Sequence, residues 1–545
     1  MRAGLPLLAA NVGGLPDFVK DGENGLLFDP SRPETLVAAY RRLTPACAAR
    51  LAVNGRATAA AYAWPALTER LMALYRDLVG GGAPMKYALF ALALAGSIPL
   101  AAVCSLSKKR IARLMGLVFF VVLCFDSTAV NFISYEFYRG TSRGLEVSLA
   151  YILSFAVLLS VAMASFLRPV KRTSLFASPG TWLFLAYFAW CAVSAAVNDN
   201  ALLVREATLG GVTVFDFPLR GRMLSLFELW KMAMLFLVYA ATYACLSYVR
   251  DVKAIVRALA LVVLVVLLMV AREHLAGIYK VRGPFPHQNG LAMFLMLTGG
   301  VFFSAYLGLP KSRFRTLCAW AFVAASGVVV RTYSRGAILC YPLSVGVTAL
   351  VSIGARFSPK KVLRLTPLLL AGLLGVSLML PRIVERFETA PKSSGDKRRF
   401  FALTALNVAR DHPIAGVGVN NWAVFLNAHE EYQDTSPAGL DEKGNIGIVE
   451  TIYLLTAAEC GWVGLGLLVA WFFYYWGVAL RLALRLARTE WAYVPAGILG
   501  GLTGCYLQSG LEWVLKQRLS FLLLMVFFAT LSWMNQHWRE LRAEA

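Results

Sequence analysis

Long apolar segments recur along most of the chain and are separated by short polar connections. Each long segment can cross a hydrocarbon core of ~30 Å as a helix, whereas the alternating pattern of a membrane β-barrel is absent. Because backbone groups in lipid need internal partners, the pattern predicts an all-α polytopic membrane protein with about 12–13 transmembrane helices, the short second segment being either a span or re-entrant. The predicted spans are 88–106, 114–126, 145–166, 180–197, 224–248, 255–271, 289–309, 316–331, 335–354, 366–381, 451–480, 491–511 and 519–535.

The composition agrees with this class of protein. Of the 545 residues, 58% are hydrophobic and 15% are charged, against about 25% charged residues in soluble proteins. The nine cysteines form no CxxC motif, which argues against a disulfide framework or a zinc site. The net charge of +22 is explained first by basic loops on the cytoplasmic side, so binding of nucleic acid is not expected.

Compact basic clusters occupy alternate loops and indicate the orientation of the bundle. Such clusters favour the cytoplasmic side, so the chain is predicted to lie in the inner membrane with the intervening loops outside. These outer segments are 127–144, 198–223, 272–288, 331–335 and the long periplasmic loop 382–450. The basic clusters are Lys108, Lys109, Arg110 and Arg113; Arg168, Lys171 and Arg172; Arg250, Lys253 and Arg257; Lys311, Arg313 and Arg315; Arg356, Lys360, Lys361 and Arg364; Arg481, Arg485 and Arg488.

The predicted outer face is rich in arginine, although positive outer loops oppose the insertion bias. Arginine suits bidentate recognition of phosphate or carboxylate in a partly dry cavity, so some of these residues are predicted to bind an anionic ligand. Alternatively, some snorkel to lipid headgroups or pair with Glu136, Glu146, Asp216 and Glu228. Before the long loop, the outer cations are Arg139, Arg143, Arg205, Arg220, Arg222, Arg272, Lys280, Arg282, Arg331 and Arg335.

Residues 1–80 have the pattern of a soluble α/β fragment. A short apolar strand, Leu5–Ala9, leads into a glycine-rich turn at 12–17, and a second strand and amphipathic helices follow. The stretch 3–40 resembles the C-terminal end of retaining, two-Rossmann-domain glycosyltransferases that use nucleotide sugars. The resemblance covers only a fragment of that family, without its acceptor domain or the paired glutamates that contact the donor.

This fragment is too small to form a stable core alone. We therefore expect residues 1–84 to be a truncated, non-catalytic glycosyltransferase-like piece, either a vestigial fusion or a segment upstream of the authentic start at Met85. Residues 85–545 are expected to form the membrane domain. The fragment still suggests a context of polysaccharide synthesis.

Two glycine-containing turns lie at the predicted outer ends of spans. In 282–290 a glycine and two prolines break the helix, which is tolerated at membrane depth only where the backbone faces protein or a cavity. Residues 331–337 are predicted to form a tight turn between two spans.

The long loop carries a third element. The basic cluster 397–399 precedes a predicted amphipathic helix, 400–409, which Pro413 ends. Gly416 and Gly418 are then predicted to make a turn that presents Asn420 and Asn421.

These stretches, in this order, resemble the O-antigen ligase and O-antigen polymerase superfamily over about residues 90–535. The family pattern has an arginine before a Gly-x-Phe-x-x-x-Asn turn, a Ser-Arg-Gly turn, an Asp-x-Pro-x-x-Gly-x-Gly element, and a span with Tyr-Leu and Glu-x-Gly-x-x-Gly. The matching residues are Arg282, Gly283, Phe285 and Asn289; Ser334, Arg335 and Gly336; Asp411, Pro413, Gly416 and Gly418; and Tyr453, Leu454, Glu459, Gly461 and Gly464.

One position departs from the family pattern. Ligases of this family have a His-Asn pair before the Tyr-Leu, and the resemblance implies that this histidine activates the acceptor hydroxyl. The corresponding pair here is Glu450-Thr451. A carboxylate can act as a general base if its pKa suits, so Glu450 is a catalytic candidate. Alternatively His287, His412 or His429 takes that role, or the chain is a polymerase.

The resemblance implies transfer of a glycan at the periplasmic face of the bacterial inner membrane, in lipopolysaccharide or exopolysaccharide synthesis. The implied donor is a glycan on undecaprenyl pyrophosphate, and the acceptor is a hydroxyl of a glycan or of lipid A-core. Arginines would bind the pyrophosphate and stabilise the charge of the leaving group, with no metal or other cofactor. The candidates for substrate binding are Arg282 and Arg335, then Arg220 and Arg222, and also Arg398 and Asn289.

Other functions would use the same residues. A transporter or flippase of a lipid-linked glycan, or a carrier of small anions, would also need outer arginines, although the chain shows no convincing internal repeat. Structural roles are possible as well, since Arg335 could cap a helix and His287 could support a proline-rich turn. Transfer by the purified protein separates an enzyme from a carrier.

Overall fold

The computed structural model describes residues 1, 3–12, 15–61, 87, 88, 90–124, 130–135, 138, 140–169, 173–209, 212–278, 280–354, 357–367, 370, 377, 380, 381, 392–432 and 448–544. The chain divides into two compact units, Met1–Leu92 and Ala93–Ala545.

The first unit is a small α/β fragment, as the sequence predicts. Its two short strands pair in parallel, with Leu8 opposite Leu26, and the helices pack on them through the buried residues Leu26, Ala39 and Leu51. Its elements are β1 Leu8–Ala10, α1 Leu15–Phe18, β2 Leu26–Phe28, α2 Pro33–Arg41 and α3 Pro45–Ala61.

The second unit is a helical bundle with two β-hairpins. Its elements are α4 Phe90–Ser105, α5 Lys108–Cys124, β3 Val130–Ser134, β4 Gly144–Val147, α6 Leu149–Leu167, α7 Pro179–Val197, β5 Ala201–Leu209, β6 Val212–Arg220, α8 Gly221–Val249, α9 Val252–Leu275, α10 Gln288–Gly308, α11 Arg313–Arg331, α12 Arg335–Gly354, α13 359–367, α14 Lys392–Asp411, α15 Trp422–Ala428, α16 Ile452–Arg485, α17 Tyr493–Gln508 and α18 Arg518–Ala543.

Within the described ranges, nine helices are long and apolar enough to cross a membrane, namely α6 to α12, α16 and α18. The chain is therefore a multi-pass membrane protein, as predicted. The predicted spans 88–106, 114–126 and 491–511 correspond to the shorter helices α4, α5 and α17. Most of the predicted span 366–381 lies outside the described residues.

Helix α10 lies at the centre of the bundle, with 94% of its apolar window buried inside the protein. It packs closely against α17 because glycines face each other there. A Cβ atom on Gly300 would lie 2.4 Å from the carbonyl oxygen of Gly497. Small residues allow two helix backbones to approach in this way, which is how helices in membranes gain packing contacts.

Both hairpins are antiparallel and occupy segments predicted as outer loops. In the first, Val130 lies opposite Val147, and in the second, Ala201 lies opposite Arg220. The long segments 127–144 and 198–223 are therefore partly ordered by strand pairing, which the apolar pattern did not predict.

Contacts at the two ends of the bundle follow the predicted alternation of loops. At one end, Arg331 bonds to His274 at 2.6 Å, which joins two predicted outer segments. At the other end, Arg250 pairs with Glu540 at 3.0 Å and Lys253 pairs with Glu490 at 2.9 Å, which joins predicted cytoplasmic segments. The grouping agrees with the predicted topology, and the side of the membrane that each end faces stays a prediction.

Candidate functional site

Arg398 of helix α14 lies between two carboxylates. Its Nε atom forms an ion pair with Glu450, and its Nη2 atom donates a hydrogen bond to Oε1 of Glu512 at 3.2 Å. Asn289 also hydrogen-bonds to the Glu512 carboxylate. We call Arg398, Glu450, Glu512 and Asn289 the Arg398 cluster.

Four separate segments bring this cluster together. Arg398 lies in the first half of α14, and Glu450 lies two residues before α16 begins at Ile452. Glu512 lies in the turn between α17 and α18, and Asn289 lies in the first turn of α10. The members of the Arg398 cluster are thus held by four elements from distant parts of the chain, which favours a fixed geometry.

The two carboxylates differ in exposure. The Glu450 side chain is 38% exposed and the Glu512 side chain is 8% exposed, while Arg398 is 35% exposed. Burial raises the pKa of Glu512 to about 7. The positive charge of Arg398 lowers this pKa, and the negative charge of Glu450 raises it. Burial also raises the pKa of Glu450, against the lowering effect of Arg398 and Arg335.

His287 lies next to the cluster and caps helix α10. Its Nδ1 atom accepts a hydrogen bond from the backbone N–H of Asn289 at 3.3 Å. Loss of water around the ring lowers the pKa of His287, and the charges of Lys280, Arg398 and Arg282 lower it further. The imidazole is therefore neutral at neutral pH.

The charge of Arg335 acts on the cluster, and the charge of Arg282 acts on the neighbouring His287. Arg282 acts on His287, and Arg335, the half-buried first residue of α12, acts on Glu450. The loop that carries Arg282 is fixed by Glu273, which accepts hydrogen bonds from the backbone N–H groups of Arg282 at 2.8 Å and Gly283 at 2.9 Å. Two further arginines therefore lie close enough to act on the cluster or on the adjacent His287.

The other predicted site residues make different contacts. Arg222 pairs with Asp199 at 3.5 Å, with both side chains exposed, and Arg220 is the exposed residue before α8. The His412 ring packs edge-on against Phe425, with 5.3 Å between ring centroids. None of the contacts described for these residues involves the Arg398 cluster.

Glu512 is the member of the cluster that sequence reasoning missed. It lies in a short turn between two apolar segments and belongs to no motif. The signal that could have identified Glu512 is its acidic side chain in a short turn on the predicted outer side.

The Asp-x-Pro-x-x-Gly-x-Gly element docks into a break in helix α16. At Gly461 the backbone leaves the helical conformation, with φ 68° and ψ −178°. The N–H of Trp462 donates to the carbonyl of Pro413 at 2.8 Å, and the N–H of Val417 donates to Ala458 at 3.0 Å. Backbone groups freed by the break are therefore bonded by the loop, as lipid requires.

Glycines are required at this junction for space. A Cβ atom on Gly461 would lie 2.0 Å from the carbonyl oxygen of Ile414, and one on Gly416 would lie 2.4 Å from the carbonyl carbon of Glu459. Both glycines also have positive φ angles. These motif residues join the loop to the bundle.

Asn420 is fully buried, whereas the sequence predicted that the turn presents it. Its Oδ1 atom accepts from the Thr141 N–H at 2.8 Å, and its Nδ2 atom donates to the carbonyls of Ser142 and Leu224, each at 2.8 Å. The partners come from segments more than 190 residues away in sequence, so the local pattern could not reveal them. Asn420 ties the loop to the first hairpin and to α8.

A second group of charges is almost completely buried. Lys231 pairs with Glu228 at 2.8 Å and donates to the carbonyl of Lys516 at 3.1 Å, and Lys516 lies 3.7 Å from Glu459. Glu228 also accepts from Ser142 at 2.5 Å. We call Glu228, Lys231, Glu459 and Lys516 the buried charge network. Its Lys516 lies on the same turn as Glu512.

The long apolar helices of the described residues define a multi-pass membrane protein. Residues 320–469 match the family described as O-antigen ligase, and residues 1–46 match the family described as glycosyl transferases group 1. The two-part resemblance predicted from the sequence is thereby confirmed. The first match contains Arg335, Arg398 and Glu450, whereas Asn289 and Glu512 lie outside it.

Three relatives that are similar to a short stretch of this chain are D-inositol 3-phosphate glycosyltransferases. They come from Acidothermus cellulolyticus (40% identical over 75 residues), Segniliparus rotundus (41% over 92 residues) and Thermobifida fusca (36% over 76 residues). The alignments cover 14%, 15% and 14% of this chain and 17%, 19% and 18% of the relatives. The chain thus spans less than a fifth of the length of these relatives.

Proposed function

We propose that the membrane unit is a glycosyltransferase of the ligase or polymerase type. It transfers a glycan from a polyprenyl-pyrophosphate donor, typically undecaprenyl pyrophosphate, to an acceptor hydroxyl. The reaction takes place at the periplasmic face of the bacterial inner membrane and needs no metal. The observation that carries this proposal is the Arg398 cluster, a partly exposed guanidinium between two carboxylates. Arg398 and Glu450 lie within the region similar to O-antigen ligases.

The charges suit the leaving group of this reaction. As the bond from the sugar C1 to phosphate breaks, negative charge grows on the pyrophosphate, and preorganised cations stabilise that charge. Arg398, Arg335 and Arg282 supply such cations, and guanidinium binds phosphate in a bidentate manner. In this proposal Arg220 and Arg222 also contact the glycan or the phosphates, but they contribute less to binding than those three arginines.

The carboxylates suit the acceptor. A general base takes the proton of the attacking hydroxyl, and a base works best when its pKa lies near the operating pH. A carboxylate of the Arg398 cluster meets this requirement, since the pKa values of Glu450 and Glu512 are both raised. His287, neutral and adjacent, is the next candidate, and His412 follows.

Transfer by the purified protein tests the proposal. The protein in liposomes receives a polyprenyl-pyrophosphate-linked glycan and an acceptor glycan or lipid A-core, and the products are separated by gel electrophoresis. A new glycosidic product with release of the lipid pyrophosphate is expected. Movement of the donor across the bilayer without any new bond would instead identify a flippase, and the proposal would fail.

The phenotype of a gene deletion separates the two enzyme types. Loss of polymer from lipopolysaccharide, with long chains accumulating on the lipid carrier, is expected for a ligase. Accumulation of single repeat units on the carrier is expected for a polymerase. Unchanged surface polysaccharide and carrier-linked glycans would contradict both.

A further inference from the structure

Arg398 serves two carboxylates, and the two are held in different ways. We propose that Glu512 is the general base of the transfer reaction and that Glu450 is a positioning residue that orients Arg398. This inference rests on the proposed function and deepens it, because it assigns the proton acceptor to a residue outside the family motifs.

Glu450 is held by positive charge on two sides. It forms the close ion pair with Nε of Arg398, and the charge of Arg335 acts on it from the start of α12. Burial raises the pKa of Glu450, and both of these interactions oppose that rise by favouring the ionised form. Its half-exposed position leaves it in contact with solvent, which suits a residue that orients a guanidinium.

Glu512 is enclosed and less strongly neutralised. Its side chain is 8% exposed, one oxygen accepts from Arg398 at 3.2 Å, and Asn289 provides a further hydrogen bond. A carboxylate in a dry position with a single, longer contact to a cation keeps a high affinity for a proton. It can therefore take a proton from a hydroxyl more readily than Glu450 can.

Several neighbouring elements bring polar or charged groups towards Glu512. Helix α14 contributes Arg398, the segment before α16 contributes Glu450, α10 contributes the uncharged Asn289, and α12 contributes Arg335 by way of Glu450. On its own turn, the two cations are engaged elsewhere. Lys516 lies 3.7 Å from Glu459, and Arg518 pairs with Glu146 at 2.6 Å.

The chemical step balances without another reactant. The acceptor oxygen forms a bond to C1 of the donor sugar, and the bond from C1 to the phosphate oxygen breaks with its electron pair going to the pyrophosphate. The hydroxyl proton passes to the Glu512 carboxylate. The arginines hold the released pyrophosphate, and Glu512 then returns its proton to solvent.

This assignment fixes the direction of the pH dependence. A base must be deprotonated to act, and burial raises the pKa of Glu512 to about 7. The rate at limiting substrate therefore rises with pH up to about 7 and levels off above it. The negative charge of Glu450 contributes to that raised pKa. Removal of this charge therefore moves the rising limb of the pH–rate profile to lower pH.

Four proteins test the assignment, with transfer in liposomes measured from pH 5 to 9. They are the wild type, Glu512→Gln, Glu512→Asp and Glu450→Gln, and thermal unfolding in detergent checks that each is folded. We expect Glu512→Gln to lose about 10²–10⁴-fold in kcat/KM, the usual contribution of a general base. Glu512→Asp should keep measurable activity and a rising limb, because it keeps a carboxylate.

The Glu450→Gln protein gives the decisive contrast. It should stay active, with a raised KM and a rising limb at lower pH. The opposite pattern, with activity lost in Glu450→Gln and retained in Glu512→Gln, would make Glu450 the base and overturn the inference. If the Glu512 variants do not fold, an unshifted limb in Glu450→Gln overturns it. Absence of transfer by the wild type would instead refute the proposed function.

Discussion

The Arg398 cluster and the buried charge network are two groups of charges near the same turn, and they differ in exposure and in charge balance. In the buried charge network, two lysines face two glutamates, and all four side chains are nearly or fully enclosed. In the Arg398 cluster, the two carboxylates are outnumbered by nearby cations, and Arg398 and Glu450 are each more than a third exposed. Excess positive charge with access to solvent is what an anionic ligand needs.

The enclosed group suits a structural role. A buried ion pair gains little over apolar packing, but removal of one partner leaves an uncompensated charge. The buried charge network links α8, α16 and the turn 512–518, and so holds Glu512 opposite Arg398. The role of a charged residue in this protein therefore depends on its partners and on its exposure to solvent.

The largest expected effect is on catalysis. Arg398→Ala should lower kcat/KM for glycan transfer by about a thousandfold, because a preorganised cation at a developing charge contributes ~10²–10³-fold and the carboxylates also lose their counterion. The kcat/KM of Arg398→Lys should lie between those of the wild type and Arg398→Ala, since lysine keeps the charge but cannot make the bidentate contacts of a guanidinium. Arg399→Ala, the exposed neighbour on α14, should stay within about threefold. Equal losses in Arg398→Ala and Arg399→Ala would remove the special role of the cluster.

The next effect concerns stability. Lys231→Met leaves Glu228 buried without its 2.8 Å partner, so it should destabilise the protein by about 3 kcal/mol. The matched control is Arg250→Met, which breaks an exposed pair with Glu540 and should cost below ~1 kcal/mol. Unfolding in detergent measures both. Similar shifts in the two variants would mean that enclosure does not distinguish the two kinds of pair.

The junction of the loop with α16 is expected to matter somewhat less. Gly461→Ala should destabilise by about 2 kcal/mol, because its Cβ would overlap the Ile414 carbonyl and the φ angle of 68° is unfavourable for alanine. Gly466→Ala, in the same helix with open space around its Cβ, should be neutral or slightly stabilising. Equal thermal stability of the two variants would contradict the docking of 413–418 into the helix break.

The smallest effect is expected for arginines whose described contacts do not involve the cluster. Arg220→Ala and Arg222→Ala should each lower transfer less than tenfold, below about 1.4 kcal/mol in the barrier, because Arg222 pairs with Asp199 in an exposed position. Transfer kinetics at subsaturating donor provide the measurement. A loss as large as that of Arg398→Ala would extend the anionic site to the start of α8.

The sequence predicts the bundle well because its signal is local. Runs of apolar residues and alternating basic loops mark spans directly, and α6 to α12 coincide with predicted segments. The arginines of the predicted outer loops were also identifiable, since positive charge in such loops opposes the insertion bias. Arg335, Arg398 and Glu450 were all found in this way or through the resemblance.

Pairing across distant segments could not be predicted. Glu512 becomes significant only when the turn before α18 meets α14, and Asn420 is buried only because Thr141 and Leu224 surround it. The role of Gly416 and Gly461 was likewise hidden, because a close approach of two backbones leaves no periodic pattern in either segment. Motif glycines indicated a turn, and the structure shows a junction.

The hydrogen bonds across the break in α16 make the loop element and the helix one cooperative unit. The amides of Val417, Gly418 and Trp462 are bonded between the two segments, so none of them can open unless the loop separates from the helix. Their hydrogen exchange should therefore be as slow as that of the adjoining helix, although Val417 and Gly418 belong to a connecting segment. The segment 413–418, which follows helix α14, should therefore move with the bundle and not act as a hinge.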